Sequence, residues 1–226
     1  YLQADVPVSA AESFFVFHRN SGGTIATPGI FGFDVNANLA SLNNVTQFSD
    51  WTLGEPSAVG CLAGQATWDG GGATNNWSDA TNWICDTVPT TVDLVLFDNR
   101  SAKNVTIDQD IVAGGLQINP GFTGTVTQGS SNVTINGTYF QRTGTWIAGS
   151  GASVFNGNYL KQVGAYTGGI GPLDFNGDVS ISSGGLTLSS GTTTFAGTIF
   201  SMSGTGFNNN NGTFIIDGAL DSQLTF

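Results

Sequence analysis

The feature that most constrains this chain is a repeat of 20 residues in its C-terminal half. An apolar residue returns at each repeat and is followed two positions later by a glycine. The apolar positions are Ile135, Phe155, Phe175, Phe195 and Ile216, and the glycines are Gly137, Gly157, Gly177, Gly197 and Gly218. A regular repeat of this length predicts coils that stack on one another in a solenoid.

Two further columns keep the same step. The second apolar column is Tyr139, Tyr159, Val179, Ile199 and Leu220, and the second glycine column is Gly144, Gly164, Gly184 and Gly204. Apolar and polar residues alternate within each repeat, as in strands with one buried face. We therefore predict a parallel β-helix with coils of about 20 residues, whose glycines supply the unusual backbone angles of the corners.

The coils are expected to occupy residues 104–226. VTID at 105–108 and VTIN at 133–136 are interpreted as equivalent positions, separated by one coil and an eight-residue excursion. Asn136, Asn156 and Asn176 each precede a glycine of the first column. Stacked amides at such positions predict a partial ladder of hydrogen bonds along the solenoid axis.

The preceding sequence has a different character. Residues 1–60 contain strand-like runs at 13–19, 30–35 and 45–53, which predict a small antiparallel sheet or sandwich-like segment. Residues 61–103 hold three tryptophans and a glycine triplet, and we interpret them as a cap and linker over the end of the solenoid. The expected fold class is all-β, with a parallel β-helix after a small antiparallel segment.

Composition excludes several classes of function. The chain has five Lys plus Arg against sixteen Asp plus Glu, for a net charge of −11, which argues against a nucleic-acid partner. No apolar run approaches the roughly 20 residues of a transmembrane helix, so no membrane span is expected in this chain. The 39% hydrophobic content with sixteen Phe favours a folded chain over a disordered one.

Few residues could carry chemistry. His18 is the only histidine, and no Cys and His cluster resembles a zinc site. The cap carboxylates suggest weak calcium binding at most, so no cofactor is expected; they are Asp69, Asp79, Asp93 and Asp98. Two acid pairs are alternatives for glycoside chemistry, Asp108 with Asp110 and Asp174 with Asp178. In an exported protein, Cys61 and Cys85 would pair as a disulfide.

Three segments resemble known families. TWDGGGATNNWSDATNW followed by DLVLFD, together with the repeats, resembles bacterial cell-surface and autotransporter-type β-helix repeat proteins. The upstream VTQFSDWTLGEP resembles the closing strand of an immunoglobulin-like module. The resemblance implies an exported, extended protein of the cell surface, used for attachment or as filament material, without catalytic residues.

The sequence therefore predicts a non-enzymatic extracellular structural protein, a stalk or filament subunit. Its expected partner is itself, through head-to-tail or lateral contacts between copies. The alternative is a glycan-binding surface module, in which Trp146, Tyr166 or the cap tryptophans stack on sugars. A polysaccharide-active β-helix enzyme that uses the acid pairs is the third hypothesis.

Overall fold

The computed structural model describes residues 16–21, 24–26, 31–34, 39–42, 50–54, 62–203, 206–218 and 223–225. The chain forms two compact units, Tyr1–Cys61 and Leu62–Phe226. Within the described residues, the regular structure is β-strand apart from one 3-10 turn at Ala80–Asn82. The predicted all-β class is confirmed.

The described residues of the first unit form two antiparallel sheets. Its strands are β1 (Val16–Ser21), β2 (Thr24–Ala26), β3 (Phe31–Asp34), β4 (Leu39–Leu42) and β5 (Asp50–Gly54). β1 lies between β2 and β5, and β3 pairs with β4. The predicted runs overlap β1, β3 and β5, whereas the short partner strands β2 and β4 were not predicted.

The second unit is a parallel β-solenoid with three sheets. The first sheet contains β6 (Gln65–Trp68), β7 (Leu94–Phe97), β10 (Gly115–Ile118), β13 (Tyr139–Gln141), β16 (Tyr159–Lys161), β19 (Val179–Ile181), β22 (Ile199–Met202) and β25 (Gln223–Thr225). The second contains β8 (Val105–Thr106), β11 (Thr125–Thr127), β14 (Thr145–Ile147), β17 (Ala165–Thr167), β20 (Leu186–Thr187) and β23 (Phe207–Asn208). The third contains β9 (Ile111–Ala113), β12 (Val133–Ile135), β15 (Ser153–Phe155), β18 (Leu173–Phe175), β21 (Thr192–Phe195) and β24 (Thr213–Ile216).

Each of six coils adds one strand to every sheet. Tyr139 pairs with Tyr159 and Tyr159 with Val179, which gives the predicted step of 20 residues. Most three-residue strands of the first and third sheets bury their outer residues and turn the middle one outward, for example Ser153–Phe155. Because parallel strands lie about 4.8 Å apart, each coil covers the apolar side chains of its neighbour.

Two details of the predicted coils are wrong. Val105 pairs with Val126 in the second sheet, whereas Val133 pairs with Ile111 in the third, so VTID and VTIN are not equivalent positions. The strands of all three sheets have similar alternating sequences. A match of four residues therefore cannot show to which sheet a strand belongs. The parallel sheet also begins before residue 104, because Leu94–Phe97 already pairs with the next coil.

Candidate functional site

Aromatic rings stack along the interior of the coils. The ring centroids of Phe155 and Phe175 are 5.5 Å apart with 16° between the planes, and those of Tyr139 and Tyr159 are 4.8 Å apart with 10°. The two columns meet edge to face, with 4.9 Å between Phe155 and Tyr159. Phe195 pairs in register with Phe175, and all five side chains are fully buried. The side chains of the repeat thus form one continuous core.

The columns change at the last coils. Ile216 pairs with Phe195 but is 44% exposed, because no later strand of the third sheet covers it within the described residues. Ile199 is 47% exposed, and Phe200 takes the interior place opposite Val179. The prediction of Ile199 in the core is wrong, because one additional residue between Phe195 and Phe200 interrupts the strict step of 20.

The first glycine column allows neighbouring coils to approach closely. A Cβ on Gly177 would lie 2.5 Å from the carbonyl carbon and oxygen of Gly157 and 2.9 Å from the amide nitrogen of Asn158. Comparable backbone contacts with the preceding coil occur at Gly137, Gly157, Gly197 and Gly218. None of these five glycines has a left-handed φ. The close approach, rather than the predicted unusual backbone angle, therefore requires glycine here.

The second glycine column has the conformational role that the sequence predicted. Gly144, Gly164 and Gly184 have φ angles of 69°, 85° and 75°. Residues other than glycine adopt such backbone angles only at a cost in free energy. They turn the chain between the first and second sheets. Gly204 and Leu220 of the predicted columns lie outside the described residues.

Polar side chains inside the solenoid bind the backbone carbonyls of its corners. Gln128 donates to three carbonyls at 2.9, 3.2 and 2.9 Å, and Gln141 to two at 3.2 and 3.0 Å. Lys161 follows Gln141 in register and donates to the carbonyls of Gly164 at 2.8 Å and Ser183 at 3.0 Å. This group was not predicted from the sequence, although the two-residue alternation after Tyr139 and Tyr159 places Gln141 and Lys161 on the inward side.

Lys161 is a buried cation with backbone partners only. The residue is 1% exposed, and desolvation lowers the pKa of its ammonium group to about 8. Neutral carbonyl oxygens accept hydrogen bonds from its ammonium group, and no ion pair with Lys161 is present within the described part of the chain. Burial of this charge therefore costs stability wherever the amine is protonated.

We expect the free energy of unfolding to rise as the pH increases through about 8, the pKa of folded Lys161. Below that pH both states hold the proton, whereas above it the folded state releases the proton and the unfolded lysine keeps it. The gain between about pH 7.5 and 9.5 should be about 2 kcal/mol in urea unfolding. Lys161→Met should remove this rise, and an equal rise in the variant would contradict the assignment. Higher pH is avoided because unfolded tyrosines ionise near pH 10.

Three tryptophans close the N-terminal end of the core. Trp83 packs edge to face on Trp77 at 4.7 Å and on Trp68 at 5.1 Å. Phe97 lies 6.1 Å from Trp83 and 5.2 Å from Phe122, so the cap rings continue into the interior of the coils. The three tryptophans are at most 1% exposed. They cover the first coil, as the sequence predicted.

Asn82 holds the loop that carries these rings. Its Nδ2 donates to the carbonyls of Thr74 and Asn76, both at 3.0 Å, and its Oδ1 accepts from the Gly72 amide at 3.1 Å. Lys103 Nζ also donates to Asn82 Oδ1 at 3.0 Å. The side chain is fully buried and makes four hydrogen bonds. The four hydrogen bonds of Asn82 therefore hold the cap loop in its folded conformation.

Asn82→Ala should lower the free energy of unfolding by about 3 kcal/mol, because it leaves several buried donors and acceptors without a partner. Asn75→Ala is the matched control: Asn75 is exposed in the same loop and contributes only its backbone carbonyl, to the Thr106 amide. Urea unfolding followed by tryptophan fluorescence measures both. Equal losses in the two variants would show that the Asn82 side chain does not hold the loop.

The carboxylates of the cap bind protein groups and do not converge on one point. Asp79 accepts from the hydroxyls of Thr74 and Thr81, each at 2.6 Å, and these bonds lower the pKa of Asp79 to about 2. Asp93 accepts from Thr90, and Asp98 pairs with Arg100 at 2.7 Å. Among the described residues, no group of three or more Asp, Glu, His or Cys could hold a metal. The calcium hypothesis gains no ligand set from these residues.

The carboxylates of the two acid pairs likewise accept hydrogen bonds from other parts of the chain. Asp110 accepts from the backbone amide of Asn132 at 2.7 Å and its side chain at 3.0 Å, and these bonds lower the pKa of Asp110. Asp108 accepts from the Ser78 amide at 3.0 Å.

The second pair binds the next coil. Asp174 accepts from Asn176 Nδ2 at 3.2 Å and from the Thr194 hydroxyl. Asp178 accepts from the amides of Thr198 and Ile199 at 2.9 and 3.0 Å. All four carboxylates therefore bind a neighbouring coil or the cap loop.

An amide ladder runs along the outside of the solenoid, at the corner between the third sheet and the first sheet. Asn156 Nδ2 donates to Asn136 Oδ1, and Asn176 Nδ2 donates to Asn156 Oδ1, each at 3.0 Å. All three side chains are exposed. Ala196 follows in the next coil and ends the ladder, as the sequence predicted.

The rings proposed for stacking on sugars are not available for it. Trp146 is fully buried and Tyr166 is 1% exposed, and the cap tryptophans are equally buried. The strands place these particular rings in the interior, so they are not exposed for stacking on a sugar, and the glycan alternative stays a prediction. His18 lies in β1, opposite Thr52. Cys61 lies outside the described residues, and the disulfide with Cys85 stays a prediction.

In comparisons with known proteins, no family model, no curated protein and no solved structure matches this chain. Within the part of the chain that the structure describes, no helix has the length and apolar character needed to cross a membrane.

Proposed function

We propose that the chain is a non-enzymatic structural module of the cell surface, a β-solenoid stalk or filament subunit. The observation that carries the proposal is the unbroken series of contacts between buried rings along the coils, some stacked and some edge to face, in which each coil is covered by its neighbour. Such an interior propagates one architecture along an axis. Hydrogen bonds to the backbone also stabilise the coils. Lys161 in the interior of the solenoid and Asp178 on its surface each bind backbone groups.

Export, the autotransporter-type and immunoglobulin-like resemblances and the disulfide of Cys61 with Cys85 belong to the same proposal. Intact-mass measurement with and without a reductant tests the disulfide, since only a bridged chain gains two hydrogens on reduction. Alkylation of both thiols without reduction would contradict it.

We also propose that copies of the chain associate through the last coil. Ile215 and Ile216 are 42% and 44% exposed, and Phe207 in the second sheet is 36% exposed. β24 pairs only with β21 within the described residues, so its other edge can accept a strand. Contact through this edge is one form of the head-to-tail or lateral association between copies that the sequence predicts.

The test compares the full chain with two charge variants at rising concentration, by light scattering and negative-stain electron microscopy. Ile216→Lys should abolish association, because it places a charge on the exposed edge. Ile170→Lys is the matched control, since Ile170 is 70% exposed on a middle coil and should leave association unchanged. A monomeric wild type at every concentration, or equal association in both variants, would overturn the proposed contact.

The two alternative functions have their own outcomes. Release of products from polysaccharides that disappears in Asp174→Asn would support the enzyme hypothesis. A melting shift with a neutral oligosaccharide would support a glycan-binding module that uses exposed residues. Regular polymers without either effect would support the structural proposal.

A further inference from the structure

We propose that Asn136 is a site of spontaneous deamidation, activated by the amide ladder of its own solenoid. Asn136, Asn156 and Asn176 are each followed by a glycine and occupy the same exposed corner of successive coils. A fourth Asn-Gly pair, Asn211-Gly212, lies in a turn of the last coil. The four pairs share the Asn-Gly dipeptide and differ in their hydrogen bonds.

In the reaction, the backbone nitrogen of the glycine attacks Cγ of the asparagine. A bond forms between that nitrogen and Cγ, the amide proton leaves to water, and the bond from Cγ to Nδ2 breaks. Nδ2 takes up a proton and departs as ammonia, which leaves a cyclic imide. Water then opens one of the two imide bonds and gives aspartate or isoaspartate, so the only co-reactant is water.

The backbone amide of the glycine, which is the nucleophile, differs in its hydrogen bonding between the three ladder sites and Asn211. Within the described residues, the amide of Gly137 donates no hydrogen bond, and neither does that of Gly157 or Gly177. The Gly212 amide, in contrast, donates to the carbonyl of Asn209 at 2.9 Å. Asn211 therefore serves as an internal reference with a blocked nucleophile.

The ladder then distinguishes its three members. Asn136 Oδ1 accepts from Asn156 Nδ2 at 3.0 Å, and this donor stabilises the negative charge that develops on the oxygen during attack. Asn136 Nδ2 donates to no acceptor within the described residues, so the leaving nitrogen is free to be protonated.

Asn176 has the opposite arrangement. Its Nδ2 donates both to Asn156 Oδ1 at 3.0 Å and to Asp174 Oδ2 at 3.2 Å, while its Oδ1 accepts from no described residue. Its leaving group is held and its carbonyl is not polarised. Asn156 is intermediate, because it accepts one ladder bond and donates the other.

The experiment incubates the full chain at mildly alkaline pH and follows each site by peptide mapping with mass spectrometry. Asn136 should convert about tenfold faster than Asn176, the effect of one hydrogen bond to a developing charge. Asn211 should also be slower than Asn136. In urea, where the ladder is absent, all four sites should convert at similar rates.

The variant Asn156→Ala tests whether the ladder speeds or slows deamidation of Asn136. It removes the donor to Asn136 Oδ1 and leaves Gly137 unchanged, so conversion at Asn136 should fall about tenfold. Far-UV circular dichroism checks that the variant is folded. Faster conversion of Asn136 in this variant, equal rates at the three ladder sites in the folded wild type, or faster conversion at Asn211 would overturn the proposal.

Discussion

Gly177→Ala is expected to lower the free energy of unfolding of the solenoid by about 3 kcal/mol or more. The added Cβ would lie 2.5 Å from the carbonyl of Gly157 and 2.9 Å from the amide of Asn158. These are backbone atoms of the neighbouring coil and cannot move aside as the end of a flexible side chain can. Relief of the clash would separate two coils, with loss of ladder hydrogen bonds and of ring contacts.

Gly129→Ala is the control for this substitution. Gly129 has a left-handed φ of 65°, but a Cβ built on it meets no atom within 4 Å. Its substitution should therefore cost about 1 kcal/mol, which is the backbone term alone. Urea unfolding of both variants can be followed by fluorescence, since four of the five tryptophans, Trp68, Trp77, Trp83 and Trp146, lie in this unit. Similar losses in the two variants would contradict the close approach of the coils.

Phe155→Ala should cost about 3 to 5 kcal/mol, because it removes a fully buried ring from a core that cannot collapse around the space. The ring contacts Phe175 in the next coil at 5.5 Å and Tyr139 in the preceding one at 5.1 Å. The loss is therefore felt in three successive coils. Phe155→Leu, which keeps most of the volume, should cost about 1 kcal/mol.

Ile170→Ala is the exposed control for Phe155→Ala. Ile170 is 70% exposed, and its truncation should change the free energy of unfolding by less than about 0.5 kcal/mol. A double-mutant cycle of Phe155→Ala with Phe175→Ala should also show a coupling energy of about 1 kcal/mol, since the two rings stack. Additive losses would mean that the rings fill space without direct stacking.

Part of the surface could be predicted from sequence because it repeats. The Asn136, Asn156 and Asn176 ladder follows directly from their equal spacing, since equal spacing in a solenoid means vertical alignment. The roles of Asp174 and Asp178 could not be predicted in this way. Their partners Thr194 and Thr198 lie one coil away, and a carboxylate that binds a neighbouring coil has the same sequence pattern as a candidate catalytic acid.

The interior polar residues illustrate another limit. Lys161 is usually a surface residue type, and composition gives no reason to bury it. Only the closed corner, with the carbonyls of Gly164 and Ser183 turned inward, makes an interior amine acceptable. The direction of its pKa shift therefore depends on the tertiary structure alone.

The sequence by itself determined the all-β class, the stacking of coils and the interior column of Phe155, Phe175 and Phe195, because a fixed step of about 20 residues can bury the same side of every turn only in a solenoid. The tertiary structure decided where the coils begin, which residue replaces Ile199 in the core and why the first glycine column exists. Those features depend on contacts between backbones one coil apart, and the spacing of letters does not record how closely two coils approach.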